Sequence, residues 1–300
     1  MKKTLIALAV LAASGASFAQ ATITGKYTFG YVQTGGGGVA TKSGIGTDTA
    51  AIKVAASEDL GGGLKASAQV TLGGMMRDGA GTGEDATVNL SGGFGSLTMG
   101  TVESGNGLLA IGSSGASGFG VDGKVISGSS NIDLISYSLP LGNGLSFGLS
   151  YVDRGPAAAA GATAAGVGTG LGVGSAGATG GQTSYTAGVT YAAGPLAAKL
   201  DFTNWNRFND TDVTQFVTGA GVVSGGVAAA NKNRFRLSAG YDMGAVRLSG
   251  GYSSLTADSV ATGAVTATET LIGVKVPVGA VTFGLDVAAS QHLERPTAPH

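Results

Sequence analysis

Residues 50–72, AAIKVAASEDLGGGLKASAQVTL, constrain the fold more than any other stretch of this chain. Leu64, Ala66, Ala68, Val70 and Leu72 alternate with Lys65, Ser67, Gln69 and Thr71. A repeat of two places one set on each side of a β-strand. The residues before them do the same, with Ala50, Ile52, Val54 and Ala56 against Lys53 and Ser57. Between the two runs, Glu58-Asp59-Leu60-Gly61-Gly62-Gly63 supplies turn residues, and the glycines permit positive φ. The stretch reads as a β-hairpin with one apolar face and one face of lysines, amides and hydroxyls.

The same alternation recurs along the chain. It predicts strands over residues 21–33, 84–91, 96–102, 131–139, 145–152, 182–192, 196–205, 233–241, 245–252, 269–276 and 281–290, thirteen with the two of the hairpin. In residues 131–139 the phase is weak, because Ile132 and Leu134 fall between Ile135, Tyr137 and Leu139. Helical periodicity competes nowhere, since glycine interrupts any window long enough for a helix. Every second connection is a tight turn. The others are long, over residues 34–49, 73–83, 103–130, 153–181, 206–232 and 253–268.

Residues 1–19 read as a leader. Lys2 and Lys3 precede a short apolar run from Leu5 to Ala13, and Ser17-Phe18-Ala19 fits a small-x-small cleavage site after Ala19. The run is too short to span a bilayer as a helix, and no later segment approaches the required length. The chain holds 56 Gly in 300 residues, 12% charged residues, a formal charge of −1 and no Cys. That balance favours no nucleic acid, and the missing thiols exclude a disulfide scaffold or a thiolate metal site.

Short turns alternating with long loops are the layout of an outer-membrane β-barrel, with the turns periplasmic and the loops extracellular. Tyrosine placement assigns the faces. Tyr27, Tyr31, Tyr137, Tyr151, Tyr185, Tyr191, Tyr241 and Tyr252 all belong to the apolar sets, most of them near a strand end. A ring with an apolar body and a polar tip suits the membrane interface. The apolar face is therefore expected to meet lipid, and the polar face to line a wet interior.

No motif points to chemistry. Gly118-Phe119-Gly120-Val121-Asp122-Gly123 matches a dinucleotide fingerprint, but the residues after it do not start a helix. The glycine run 35–38 and the Ala/Gly-rich stretch 157–181 read as loops. His292 and His300 are the two histidines, both beyond the last predicted strand, so no catalytic residue, metal site or cofactor is expected. The polar faces carry Lys26, Lys53, Lys65, Lys199, Arg234, Arg236, Arg247 and Lys275 against Asp85, Asp133, Asp201, Glu269 and Asp286. Bases outnumber acids, and Arg234, Arg236 and Arg247 crowd one hairpin. Charges lining a pore set its ion preference.

The leader MKKTLIALAVLAASGASFAQ, the opening strand ATITGKYTFGYVQ, and SEDLGGGLKASAQ, LSGGFGSLTMG and NIDLISYSLPLGNGL resemble the general porins of β-proteobacteria, through nearly all of the alternating chain. The resemblance implies an all-β, 16-stranded transmembrane antiparallel barrel, usually a homotrimer. It also implies a third loop folded into the pore, with loop acids facing wall bases. By position that loop is residues 103–130, with Glu103 and Asp122 as its acids and Lys124 as its base.

Two departures stand out. Met99-Gly100-Thr101-Val102 replaces an Arg-Gln pair common in the family. Residues 291–300 form a polar tail where the family ends in a strand with a terminal aromatic, so the barrel of residues 20–290 is expected to lack its last strands. The expectation is an outer-membrane channel for passive diffusion of small hydrophilic solutes and ions, embedded among lipid and lipopolysaccharide. The alternatives are a substrate-specific channel, which a ladder of lumen aromatics would favour, and a secreted β-rich structural or adhesin protein.

Overall fold

Alternation at period two becomes one antiparallel meander. A computed structural model describes residues 20–36, 39–75, 79, 81–104, 106–115, 121, 125–126, 130–156, 181–206, 229–259 and 263–292. Within them run β1 (Gln20–Gly36), β2 (Val39–Gly61), β3 (Leu64–Gly73), β4 (Thr82–Gly92), β5 (Gly95–Ser104) and β6 (Ser130–Gly142). Then come β7 (Leu145–Pro156), β8 (Gly181–Ala193), β9 (Leu196–Asn206), β10 (Ala229–Asp242), β11 (Arg247–Ser259), β12 (Gly263–Val278) and β13 (Val281–His292). Each strand pairs with its sequence neighbours in a single thirteen-stranded sheet. The shortest strands have 10 residues, enough to cross the hydrocarbon when tilted.

Burial is inverted relative to a water-soluble protein. Ile23, Ile272 and Leu285 are 74%, 63% and 62% exposed, whereas Asp201, Thr203 and Ser253 are 3%, 2% and 1% exposed. Apolar side chains stand on the outer face and small polar ones on the inner, the arrangement of a lipid-facing barrel wall. At the tight turns the chain reverses on left-handed residues: Gly61, Gly62 and Gly63 between β2 and β3, and Gly142-Asn143-Gly144 between β6 and β7.

Between β5 and β6 the described chain makes one helical turn, α1 (Leu109–Gly112), which packs on β9 to β12. Ser114, just beyond it, hydrogen-bonds Asp286 of β13. From β5 to β13 along a flat sheet is eight strand spacings, roughly 38 Å. Ten residues fully extended reach only about 33–36 Å, and a helical turn shortens them further. The sheet therefore curls, and the segment crosses its concave interior.

Several expectations are corrected. The connections expected over residues 34–49 and 253–268 are mostly strand: β1 pairs with β2 up to Gly36 and Val39, and β11 with β12 up to Ser259 and Gly263. Strand β13 runs to His292, so the first two residues of the expected tail belong to it. The α1 turn is a helical element that periodicity did not suggest. The leader 1–19, residues 293–300, Asp122, Lys124 and most of the fingerprint-like glycine motif lie outside the described residues.

Candidate functional site

Strand register lays the inner wall of β9 to β13 out as a grid, with Gly251, Gly240 and Gly273 in rows between longer side chains at either end. One row reads Asp201, Arg236, Ser253, Glu269 and Ser290. The next reads Lys199, Ser238, Gly251, Leu271 and Ala288, and below it run Gly240, Ser249, Gly273 and Asp286. A last row has Asp242, Arg247, Lys275 and Gly284.

The segment 106–115 runs down this grid from the row of Glu269 to the rows of Arg247 and Asp286. Asn106 Nδ2 donates to Glu269 Oε2 at 3.1 Å, and Asn106 Oδ1 accepts the Leu108 amide at 3.0 Å. Gly107 lies against the Arg236 guanidinium, so close that a Cβ there would stand 2.5 Å from its Cζ. Leu108 is fully buried beside Gly251. Lower down, Arg247 donates to the Ile111 carbonyl at 3.1 Å and Ser249 Oγ donates to the Ser113 carbonyl at 2.9 Å. Ser114 gives its amide and its hydroxyl to Asp286 at 2.6 and 2.8 Å. Within residues 106–115, wall acids thus receive loop donors and a wall arginine donates to a loop carbonyl, while Asp122 lies outside the described residues.

Among the charges singled out from sequence, Asp201 and Arg236 are brought together most tightly. Arg236 Nε donates to Asp201 Oδ1 at 2.9 Å, both side chains nearly buried, and Lys199 Nζ stands 3.7 Å from Asp201 Oδ2. Arg234 lies over the Trp205 ring at 5.2 Å, within cation–π range. Arg247 and Lys275 sit directly opposite each other on β11 and β12. Lys26, Lys53 and Lys65 occupy the inner positions of β1, β2 and β3, opposite Ala51, Thr24 and Asp59, away from the docked segment.

The arginines of the β10–β11 hairpin are not one cluster. Arg247 pairs with Asp242, eight residues along β10 from Arg234, which is about 26 Å of strand. Asp133 is not on the inner wall. It lies two residues from Ile135 in unbroken register, and Ile135 faces outward, 49% exposed, between Met99 and Tyr151. Thr101 donates its hydroxyl to Asp133 there. Glu103 belongs to β5 rather than to the loop, pairs with Asn131, and donates its amide to Asp85 Oδ1 at 2.9 Å.

Sequence reasoning missed two inward residues. Trp205 is an aromatic on the inner face, following Asp201 and Thr203 at every second position. Leu271 interrupts the polar face of β12 between Glu269 and Gly273, and is 1% exposed. The phase break at Leu271 was a visible signal. Among the described residues no group of three or more His, Cys, Asp or Glu could hold a metal ion.

A curled meander with an apolar exterior, a charged interior and an inserted segment defines a class of protein, and comparison with known proteins agrees. The family model described as Gram-negative porin matches residues 4–298. Outer membrane porin protein 32 of Delftia acidovorans is 30% identical over 307 residues, which cover 94% of this chain and 77% of that protein. Among solved structures, the anion-selective porin from Comamonas acidovorans superposes with a TM-score of 0.61 at 21% identity, covering 92% of this chain and 80% of that one. OmpF of Salmonella typhi, in complex with daunomycin, gives 0.59 at 16% identity, covering 91% and 79%. The chain belongs to the Gram-negative porin family, and is an outer-membrane porin of the β-proteobacterial kind.

Proposed function

We propose that this porin is a general diffusion channel for small hydrophilic solutes and ions, narrowed by the segment that crosses its interior. The observation that carries this reading is the docking of residues 106–115 on the inner wall through Glu269, Arg247, Ser249 and Asp286. The segment occupies cross-section that would otherwise be water, while the rest of the inner face stays polar. Lys26, Lys53, Lys65, Lys199, Arg234, Arg236, Arg247 and Lys275 set the charge preference of what passes. Their excess over the inner acids supports a weak anion preference, the property for which the Comamonas acidovorans porin is named. Transport follows the solute gradient, so the chain acts as a channel and not as an enzyme.

The same reading holds that export uses the leader 1–19, cleaved after Ala19, and that the protein assembles as a homotrimer among lipopolysaccharide. Recording purified protein in planar bilayers tests the channel. Stepwise ohmic conductance, with a reversal potential in a salt gradient displaced toward the anion side, is the expected result. A preparation that inserts but passes no current overturns it. N-terminal sequencing should begin at Gln20, and crosslinking in detergent should stop at three chains.

A further inference from the structure

Between the wall side chains that tie the crossing segment, glycines stand where its backbone and Leu108 approach most closely. Gly251 of β11 would place a Cβ 3.0 Å from Leu108 Cδ2 and 3.4 Å from Leu108 Cβ. Gly273 of β12 would place one against the Ser114 amide nitrogen, 2.6 Å from Ser249 Oγ and 2.7 Å from Asp286 Oδ1. From the other side, a Cβ on Gly112 would stand 3.0 Å from the Gly250 carbonyl oxygen. These approaches are at or inside the contact distance of real side chains, so an added methyl at these places has to displace its neighbour. Gly251 is paired with Leu271, which lies between Glu269 and Gly273 on the inner face of β12, and both Leu108 and Leu271 are buried. A water-filled lumen offers no reason for a leucine there. An apolar side chain from the segment does.

We infer that Gly251, Leu271 and Gly273 form a shaped seat that fixes how far the segment stands from the wall, so that side-chain volume at these positions determines the size limit of the channel. The reasoning is steric. The segment is held from above by Asn106 on Glu269 and from below by Ser114 on Asp286, 3.1 and 2.8 Å. Between those two ties Leu108 and Gly112 rest on β11, where the backbone of Gly250 and Gly251 leaves no slack. Volume added to the wall between fixed ends bows the segment outward, and outward is into the pore. Volume removed from the segment at Leu108 leaves it loose over the same glycines.

The inference rests on the segment narrowing the channel, and the experiment separates the two ideas. Single-channel conductance and liposome swelling with sugars of rising size are measured for wild type, Gly251→Ala, Leu108→Ala, the double variant, and Gly148→Ala. Gly148 is an inner glycine of β7 where a Cβ would meet only the Tyr137 carbonyl at 3.8 Å, so it is the control for adding a methyl with room to spare. Wild-type current tests the channel itself. The seat predicts that Gly251→Ala lowers conductance and the sugar size limit while Gly148→Ala leaves both unchanged, and that Leu108→Ala in the Gly251→Ala background restores them toward wild type.

Equal conductance for Gly251→Ala and Gly148→Ala overturns the seat, as does a double variant no better than Gly251→Ala alone. Should Gly251→Ala fail to insert, Leu108→Ala still decides, because it changes the segment and leaves the wall intact. A larger size limit or open-channel flicker in Leu108→Ala supports the seat. Currents identical to wild type in that variant reject it.

Discussion

Ser114 commits both its backbone amide and its hydroxyl to the single carboxylate of Asp286, at 2.6 and 2.8 Å, across 172 residues of sequence. Two donors on one carboxylate form charge-assisted bonds, each contributing about 1.5–3 kcal/mol. This contact ties the first half of the chain to its last described strand, and it is one of the ties that hold the crossing segment. Asp286→Asn keeps one oxygen acceptor and turns an amide group toward a second donor. The expected result is a docked-to-undocked ratio lowered about tenfold or more, using 1.4 kcal/mol per factor of ten. Open-channel noise in planar bilayers measures it, and Asp286→Asn traces as quiet as wild type would show the tie to be dispensable.

Face assignment is tested by arginine substitution. Leu149 and Leu237 are each 46% exposed on the outer face, opposite Tyr137 and Tyr252 of the neighbouring strands. An arginine at either, placed near the bilayer midplane, should cost about 2–4 kcal/mol. Ser67 and Ser150 sit on the inner faces of β3 and β7, away from the docked segment, and arginine there should be tolerated. Urea unfolding in liposomes separates the two pairs, and similar costs for both would refute the orientation of the wall.

Much of this architecture was legible because alternation is enforced by two different solvents. Where a strand crosses the hydrocarbon, Leu149 and Ser150 cannot exchange sides without placing a leucine in water and a serine in lipid. Past the membrane both faces meet water, and the pattern fades, which is why the extended ends of β1, β2, β11 and β12 read as loops in the sequence. Asp133 was misplaced for a related reason. Ile132 and Leu134 compete with Ile135 and Tyr137, so parity alone could not choose a face, and only the pairing of Ile135 with Met99 and Tyr151 settles it. Leu271 is apolar on a polar face and pairs with Gly251, against which Leu108 rests, a relationship that no local window contains. The docked segment was expected from family resemblance, yet its anchoring residues were not, since Asp286 and Glu269 looked like ordinary wall charges.

Charge selectivity should respond unequally to the arginines. Arg236 is neutralised by Asp201, with side chains 11% and 3% exposed, so removing either partner uncovers the other. Arg236→Ser leaves a buried carboxylate with Lys199 as its remaining close cation, and should move the reversal potential in a salt gradient toward cations. Asp201→Asn should move it toward anions. The combined variant should fall close to wild type, because the pair contributes little net charge. The shift is read at low ionic strength, where screening is least. A combined variant displaced as far as either single variant would show that the two charges do not compensate each other.

Trp205 is the one tryptophan of the chain and therefore reports on the inner wall without engineering. It is 8% exposed, follows Asp201 and Thr203 on the inward face of β9, and carries the Arg234 guanidinium 5.2 Å above its ring. Its fluorescence in folded protein should be poorly quenched by iodide, even though the lumen is aqueous, and quenching should rise steeply on unfolding in urea. Trp205→Ala should destabilise by about 3–5 kcal/mol, as for other buried tryptophans truncated to alanine. Trp205→Phe should recover most of that loss, since phenylalanine keeps an apolar ring beneath the guanidinium. Arg234→Met separates packing from charge: it preserves the stem over the ring but removes the cation. If the cation–π contact matters, Arg234→Met and Trp205→Leu should couple non-additively in a double-mutant cycle on urea stability. Additive losses would leave Trp205 as a space-filling residue of the wall, with Arg234 acting on ions in the pore and not on the ring beneath it.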